Sequence, residues 1–451
     1  MKRVKSPSCL LNNSMNIGYE LRSLKLFFWL NAILLVTDYI MPQYFGIHIA
    51  FDFTCTRIMN VIILGYMILS PSMFSHFIRM VLRCKFTFAI CLYLLVCAYT
   101  MVFRTDINAF FMVFLEILTL YMLVYSIRYV IGIRKAVEWG IKSAYFLGVL
   151  GFVDYILGQS LMLKFFKTVP TGVRNVIRSG KYRIMGQCGH PLGYGLLLIL
   201  LIPLCCLDFQ KKEVYLFKRP VLLAMLLLNV FLTGSRSTLG FVFLELALIL
   251  LASNRKNIKK SLLCIIVALL VFIVFIMLVY NTSVGRYIMM QLASLVDQVL
   301  GTEYAAYYGA EMTRLDDSAE YRKLLPQIFK LDWLSPILGR GVSSSFGVVI
   351  NGIFVQSVDN YYICQFIKYA YPGMITYILI ILTIVGLMLN GIIKYKSPII
   401  KMTLIGTICY YINLWWVDAL QTLKYEYIIV AIFYATYMCY EEKKEDLVYM
   451  E

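Results

Sequence analysis

Four clusters of polar residues, three of them with arginine beside glycine, occur in a largely apolar chain. The first cluster begins at Arg183 and continues through Gly186 and Gly189 to His190 and Pro191. Glycine and proline at such positions end a loop and open a helix, whose free backbone N–H groups attract an anion. The segment therefore predicts an anion site flanked by Arg183 and His190, or, in the simpler interpretation, an ordinary loop before a helix.

The second cluster is the turn Gly234-Ser-Arg-Ser237, which separates two almost uninterrupted apolar runs. A permanently charged guanidinium next to hydrocarbon either reaches lipid phosphate or binds an anionic ligand. Gly234 permits the turn, and Ser235 and Ser237 are suited to cap the helix that follows. Arg236 would then lie beside exposed N–H groups, an arrangement that favours an oxyanion or a phosphate.

The third cluster contains Arg314 and Arg322, followed by Arg340 in a Gly-Arg-Gly turn at 339–341. Guanidinium groups present forked donors that suit pyrophosphate or a sugar. The acids of this stretch fit a solvated charged surface better than a site: Asp316, Asp317 and Glu320.

The fourth cluster is Asp359-Asn360, which opens an aromatic helix leading to Pro372 and Gly373. Asp359 is suited to two roles, a helix N-cap or a general base for a sugar hydroxyl. The cap is the commoner role for a lone aspartate at this position.

The elements that hold these clusters are membrane helices. The 451 residues are 61% hydrophobic and the mean hydropathy is +0.77. Apolar runs of about 20 residues are long enough to cross a bilayer, so the sequence predicts an all-α polytopic membrane protein with about twelve transmembrane helices. The predicted spans are 24–45, 53–72, 86–103, 107–127, 138–158, 191–208, 219–233, 237–252, 261–280, 372–393, 399–417 and 422–440.

Basic residues in every second connection predict the orientation, with both termini in the cytoplasm and all four clusters on the outer face. The net charge of +17 therefore reflects topology rather than nucleic-acid binding. Two outer segments, 159–190 and 281–371, are basic against this rule. An anionic ligand is the simplest cause, and translocation of long loops regardless of charge is the alternative.

The predicted organisation has three parts: transmembrane helices in 1–280, an outer lid with short helices in 281–371, and transmembrane helices with a cytoplasmic tail in 372–451. The twelve cysteines show neither metal-ligand spacing nor a disulfide framework. Walker and HExxH motifs are absent from the sequence. We therefore expect no metal and no cofactor.

Taken in order, the four clusters resemble the family of O-antigen ligases and Wzy-type polysaccharide polymerases. The resemblance covers about residues 180–395, whereas the first five predicted spans share only hydropathy. Ligases of this family carry histidine where this chain has Asp359, and polymerases often accept aspartate there, which favours a polymerase. The matching residues are Arg183 with Gly186, His190, Pro191 and Gly193, the turn 234–237, Arg322 with the turn 339–341, and Asp359 with Asn360.

The resemblance implies a membrane fold of the GT-C type and metal-independent glycosyl transfer. The substrate would be an undecaprenyl-pyrophosphate-linked oligosaccharide repeat unit, polymerised into capsule or O-antigen on the outer face of the bacterial cytoplasmic membrane. Arg183, Arg236 and Arg322 would neutralise the leaving pyrophosphate, with Arg340 as a fourth donor.

The resemblance also implies roles on the acceptor side. Asp359 would orient or deprotonate the acceptor hydroxyl, and His190 is the alternative base. A chain-length regulator and a flippase are expected protein partners. The predicted substrate-binding set is completed by Ser235, Ser237 and Asn360.

Three other functions stay open: a ligase that transfers the glycan to another acceptor, a flippase for lipid-linked oligosaccharide, and a non-enzymatic assembly subunit. Four acids at apparent membrane depth favour the flippase: Asp38, Glu116, Asp154 and Glu245. The concentration of arginines in two outer segments favours the enzyme, because flippases distribute charge along a central cavity.

Overall fold

The computed structural model describes residues 17–48, 52–170, 172–178, 181–309, 321–444 and 446–449. Within these ranges the regular structure is almost all helical, which confirms the predicted all-α class. Four residues of the third cluster lie outside the described residues: Arg314, Asp316, Asp317 and Glu320. The N-terminal stretch 1–16 also lies outside them.

The helices are α1 (Ile17–Ile40), α2 (Cys55–Ile68), α3 (Pro71–Arg83), α4 (Thr87–Arg104), α5 (Asn108–Tyr125), α6 (Ile133–Leu157), α7 (Leu161–Phe166), α8 (Pro191–Cys205), α9 (Pro220–Thr233), α10 (Arg236–Ala252), α11 (Arg255–Val279), α12 (Ser283–Leu300), α13 (Tyr304–Tyr307), α14 (Tyr361–Tyr395), α15 (Pro398–Asn413), α16 (Leu423–Glu441) and α17 (Asp446–Tyr449). A π-helical turn (Ser126–Ile131) continues α5, and a 3-10 helix covers Leu325–Lys330.

Four antiparallel hairpins lie in the connections between helices. Each has only two short strands, so none of them forms a layer of the fold. They pair β1 (Gly46–His48) with β2 (Asp52–Thr54), β3 (Val176–Arg178) with β4 (Lys181–Arg183), β5 (Leu207–Asp208) with β6 (Glu213–Val214), and β7 (Val348–Ile350) with β8 (Ile353–Val355).

Several long apolar helices indicate a multi-pass membrane protein. Among the described residues, five helices have the length and composition of a membrane span: α4, α5 with its π-helical turn, α6, α11 and α14. A sixth candidate combines α2 and α3, which are bent by 118° at the break between them. Every predicted span overlaps one of the helices, while the total of about twelve spans stays a prediction.

Helix α8 is shorter than its predicted span of 191–208. It has 15 residues, so its length is about 22 Å, less than the roughly 30 Å hydrocarbon layer. All of its residues except Leu192 are buried, because α6, α9, α10 and α15 surround it. Its apolar character therefore reflects a protein core rather than contact with lipid. Gly195 allows α10 to pack closely against α8, since a Cβ at this position would lie 2.5 Å from the Thr238 hydroxyl oxygen.

Hydrogen bonds join the predicted outer connections to one another at one end of the bundle. Ion pairs join predicted inner connections at the other end, where Arg128 meets Glu442 at 2.8 Å. The bonds at the outer end include Thr168 N–H to the Tyr44 carbonyl (3.1 Å), Ile184 N–H to Leu232 (3.2 Å), Tyr361 N–H to Leu414 (3.0 Å) and the Gln43 amide to Gln421 (3.0 Å).

The outer segment 281–371 ends in a helix, and the sequence predicts this helix after Asp359-Asn360. Helix α14 begins at Tyr361 and continues to Tyr395. Its backbone breaks at Ala370, where φ is 56° and ψ is −164°. The break lies beside Pro372, whose ring disfavours helical backbone in the preceding residues. The first part of α14 thus belongs to the lid and packs on the 3-10 helix through Phe366 and Phe329.

Asp106, in the connection between α4 and α5, anchors the lid. Its carboxylate accepts the backbone N–H groups of Val342 (2.7 Å) and Ser343 (2.9 Å) and the Ser343 hydroxyl (2.7 Å). Arg104 adds a hydrogen bond to a carbonyl of the same turn. Gly341 has a φ of +84°, and a Cβ there would lie 2.5 Å from Asp106 Oδ2. The Gly-Arg-Gly turn is therefore shaped to receive this carboxylate.

Replacing Asp106 with alanine should release the lid from the helices. The variant loses the acceptor of three hydrogen bonds, so we expect trypsin to cleave after Arg340 about tenfold faster, which corresponds to about 1.4 kcal/mol of anchoring. Limited proteolysis in detergent measures this rate. Asp332→Ala, an exposed acid of the same segment, is the control, and equal cleavage of both variants would contradict the anchoring role.

Candidate functional site

The first and second clusters form one structural unit. Arg183 is only 8% exposed, and its Nε donates to the Thr233 carbonyl at 2.6 Å. Gly234 follows with a φ of +61°, and a Cβ there would lie 3.1 Å from Arg183 Nε and 3.5 Å from the Tyr287 hydroxyl. Glycine at this position thus brings three elements together: hairpin strand β4, the end of α9, and α12.

Ser235 caps α10, as the sequence predicts. Its hydroxyl oxygen accepts the Thr238 N–H at 3.3 Å and lies 2.8 Å from the Thr238 hydroxyl. Ser237 Oγ lies 3.4 Å from Ser235 Oγ. Ser235 is buried, so its main role in the structure is to hold the turn, while its contact with substrate stays a prediction.

Arg236 is the first residue of α10 and is half-buried near α12. Desolvation acts to raise the pKa of Asp297 in α12, but hydrogen bonds from Thr302 and from the backbone N–H groups of Ala305 and Tyr304, together with the positive charge of Arg236, hold it below its usual value. Arg236 therefore has a carboxylate of the outer segment in its surroundings. Its position at a helix N-terminus adds the positive end of the helix dipole.

His190 is the N-cap of α8. Its Nδ1 accepts the Leu192 N–H at 3.2 Å, and burial together with the positive charge of Arg183 lowers its pKa to about 4. The ring is therefore neutral at physiological pH and carries its proton on Nε2. In this geometry His190 is a hydrogen-bond donor through Nε2, whereas the sequence offered it as an alternative base.

The third and fourth clusters meet at Asp359. Its Oδ2 lies 3.5 Å from a terminal nitrogen of Arg322, and the Ser357 hydroxyl donates to Oδ1 at 3.4 Å. Desolvation by burial raises the pKa of Asp359, the charge of Asp418 raises it further, and Arg322 and Ser357 oppose the rise. The structure thus places a carboxylate of increased basicity beside an arginine.

The N-cap of α14 is Asn360, so the cap interpretation of Asp359 is wrong. Asn360 Oδ1 accepts the Ile363 N–H at 3.0 Å, and its Nδ2 donates to the Trp415 carbonyl at 2.9 Å. Asn360 is 3% exposed. Both ends of its amide thus bind protein groups, and they join α14 to the connection between α15 and α16.

Asn360→Ala should destabilise the protein by about 1–3 kcal/mol, because a helix cap and a buried acceptor on Trp415 both lose their partner. Asn360→Asp keeps the cap acceptor and loses only the donor, so its loss should be smaller. Thermal unfolding in detergent, monitored by intrinsic fluorescence, compares the stabilities of the wild type and the two variants. Wild-type stability of Asn360→Ala would show that the cap is dispensable.

A cavity of about 430 Å³ lies between the two halves of the site. His190, the neighbour of Arg183, lines one part of its wall, and Asp418, the neighbour of Asp359, lines another. The remaining wall combines tyrosines with polar side chains. These include Tyr93, Tyr361, Tyr369, Tyr377, Tyr427, Glu116, Gln365, Lys368 and Gln421.

Arg340 does not join this cavity. Its guanidinium lies over the Trp333 ring, 5.0 Å from the ring centroid. It lines a second cavity of about 480 Å³ together with Arg104 and Asp106. The lid turn separates the two spaces, since Val342 lines the first cavity and Arg340 the second. Arg183, Arg236 and Arg322 do not line the first cavity either, so the convergence of the arginines on one ligand stays a prediction.

Sequence reasoning missed Asp418 as a site residue. It directly follows the apolar run that ends at Trp415, Trp416 and Val417, at the outer end of α15. The sequence did offer a signal for Asp418, because this acidic residue directly follows the predicted span 399–417. By contrast, Glu116 was noted only as an acid at membrane depth; the structure pairs it with buried Arg57 at 3.5 Å and places it in the cavity wall.

No protein-family model matches the chain, and no similar curated protein was found. In the ranges that the structure describes, no group of three or more His, Cys, Asp or Glu side chains is arranged to hold a metal ion.

Proposed function

We propose that this protein polymerises undecaprenyl-pyrophosphate-linked oligosaccharide repeat units into a surface polysaccharide, on the outer face of a bacterial cytoplasmic membrane. One observation carries the proposal: clusters far apart in the sequence meet at one end of the helix bundle around a tyrosine-rich cavity that has charged side chains in its wall. Arg183 lies near His190, which lines one part of the wall. Arg322 lies 3.5 Å from Asp359, whose charged neighbour Asp418 lines another part.

The arginines suit the donor half of the reaction. The bond between the anomeric carbon and the pyrophosphate oxygen breaks, and the electron pair leaves with the lipid pyrophosphate. Preorganised guanidinium groups stabilise such developing charge most strongly where water is excluded. Arg183 is buried and held by the Thr233 carbonyl, while Arg236 stands at the positive end of α10, so little reorganisation is needed.

The acceptor half requires a group that takes the proton of the attacking hydroxyl. The sequence predicts Asp359 for this role, and the assignment stays a prediction. Its raised pKa favours proton transfer, because a more basic carboxylate is a better proton acceptor. The nearby Arg322 would orient the carboxylate.

An apolar groove supports a lipid-linked substrate. It has a volume of about 700 Å³ and lies between α14 and α15. It begins at Tyr362 and Trp415, beside the Asn360 cap, and continues along Met374, Ile381 and Val385. Its lining is nearly all apolar and aromatic, which suits a polyisoprenyl chain whose headgroup lies near Asp359.

Arg236→Ala and Arg322→Ala should each lower the rate of chain elongation by about 10²- to 10³-fold, because each removes a donor that stabilises the leaving pyrophosphate. A gel of surface polysaccharide from a deletion strain carrying each variant should show single repeat units in place of long chains. Arg286→Ala, an exposed arginine of the outer segment, serves as the control. Normal ladders from both site variants would refute the assignment.

A lysine variant separates the effect of charge from the effect of geometry. Arg236→Lys keeps the positive charge but loses the forked donors, so it should also fail if the contact with pyrophosphate is bidentate. Full activity of Arg236→Lys would show that a point charge at the membrane surface is sufficient.

Ser357→Ala should move the acidic limb of the pH–rate profile to higher pH. Asp359 is ionised above its pKa, so activity is present there and is lost as the pH falls through that value. The Ser357 hydroxyl lowers this pKa, and its removal therefore raises it further. Elongation by purified protein in nanodiscs gives the profile, with Ser345→Ala, an exposed lid serine, as the control. An unmoved limb would exclude Asp359 as the titrating base.

A further inference from the structure

The cavity between the two halves of the site has a chemical character that the pyrophosphate role does not explain. Besides the tyrosine hydroxyls and Gln421, three side chains of its wall offer hydrogen-bond donors. His190 offers Nε2–H, because its Nδ1 already accepts a backbone N–H. Gln365 accepts the Tyr93 hydroxyl with its amide oxygen at 2.8 Å, which leaves the NH₂ group as its donor. Lys368 supplies an ammonium group, for which the described residues provide no hydrogen bond or ion pair within 4.0 Å.

The cavity also has two acceptors, and its charges balance. Asp418 uses one oxygen for the N–H of Ala419 at 2.8 Å and has a second oxygen to offer. Glu116 shares its charge with Arg57 at 3.5 Å. Asp418 and Glu116 thus oppose Lys368 and Arg57, one negative group for each positive group. A pyrophosphate would find no excess of positive charge here, whereas a neutral ligand with many hydroxyl groups would find donors and acceptors together.

The walls and the size of the cavity agree with such a ligand. Five tyrosines surround the polar groups, and their rings offer flat apolar faces with polar edges. The volume of about 430 Å³ lies within the range of small-molecule sites. The neighbouring apolar groove, lined by Ile381 and Val385, is a separate space.

We propose that this cavity binds the terminal sugar of the acceptor repeat unit as a neutral ring, with Asp418 and Lys368 as the residues that determine its specificity. Asp418 accepts a sugar hydroxyl and thereby places the attacking hydroxyl towards Asp359, its electrostatic neighbour. Lys368 and Gln365 donate to ring substituents. This inference rests on the proposed function, because it assigns the acceptor half of the same reaction to a space distinct from the arginines.

The test uses purified full-length protein in nanodiscs, the host strain's lipid-linked repeat unit as donor and a water-soluble form of the same repeat unit as acceptor. Asp418→Asn and Lys368→Met should each raise KM for the soluble acceptor by about 10- to 100-fold, the effect of losing a hydrogen bond to a charged group, with kcat changed less than about threefold. The matched controls are Asp332→Asn and Lys330→Met, both exposed in the outer segment.

A second measurement covers the case in which a variant folds poorly. The free neutral oligosaccharide should compete with the soluble acceptor for the wild-type protein, and the same oligosaccharide with a carboxylate on its terminal sugar should compete at least about tenfold less well, since the charges of the cavity are already balanced. Equal or better competition by the acidic form would overturn the neutral-sugar assignment.

The outcomes separate this inference from the proposed function. Unchanged KM in Asp418→Asn and Lys368→Met, together with loss of elongation in Arg236→Ala, would overturn the acceptor cavity and leave the polymerase in place. A fall in kcat at constant KM would also overturn it, because the residues would then act in the chemical step and not in binding. An unaltered surface polysaccharide in the deletion strain would instead refute the polymerase itself.

Discussion

The geometry of the site depends on the contact between the Arg183 guanidinium and the backbone at the end of α9. A buried guanidinium is costly unless its donors are satisfied, and Arg183 satisfies one of them on the Thr233 carbonyl, which is left without a helical partner where α9 ends. Gly234 makes the contact possible, because any side chain there would crowd Arg183 Nε. The turn that carries Arg236 is therefore positioned by an arginine 53 residues earlier in the chain.

A side chain also binds a backbone carbonyl near a helix end in the other half of the site. Asn360 ends the lid and begins α14, and its amide connects this helix start to the carbonyl of Trp415. The residue before it, Asp359, is consequently held beside Arg322 and near Asp418. Backbone carbonyl groups at helix ends thus help to position the charged side chains of both halves of the site.

Burial separates the roles of residues that look alike in the sequence. His190 and Asp359 were both candidates for the base. Burial and Arg183 keep His190 neutral, and its Nδ1 already accepts a backbone N–H, so Nε2–H is left as a donor. Burial raises the pKa of Asp359. Likewise Arg340 resembles the other arginines of the outer segments. Its stacking on Trp333 and the Asp106 anchor direct it into a different space.

The sequence by itself determined the all-α class, the positions of the apolar helices, the cap at Ser235 and the membrane character, because these follow from local periodicity, hydrophobicity and turn chemistry. Only the tertiary structure decided that α8 is a buried core helix, that α14 breaks at Ala370, and that Arg340 lines a separate cavity. Only the tertiary structure also revealed Asp418 and Lys368 in one cavity. These features depend on contacts between residues distant in the chain, and no local pattern records which helix ends will meet.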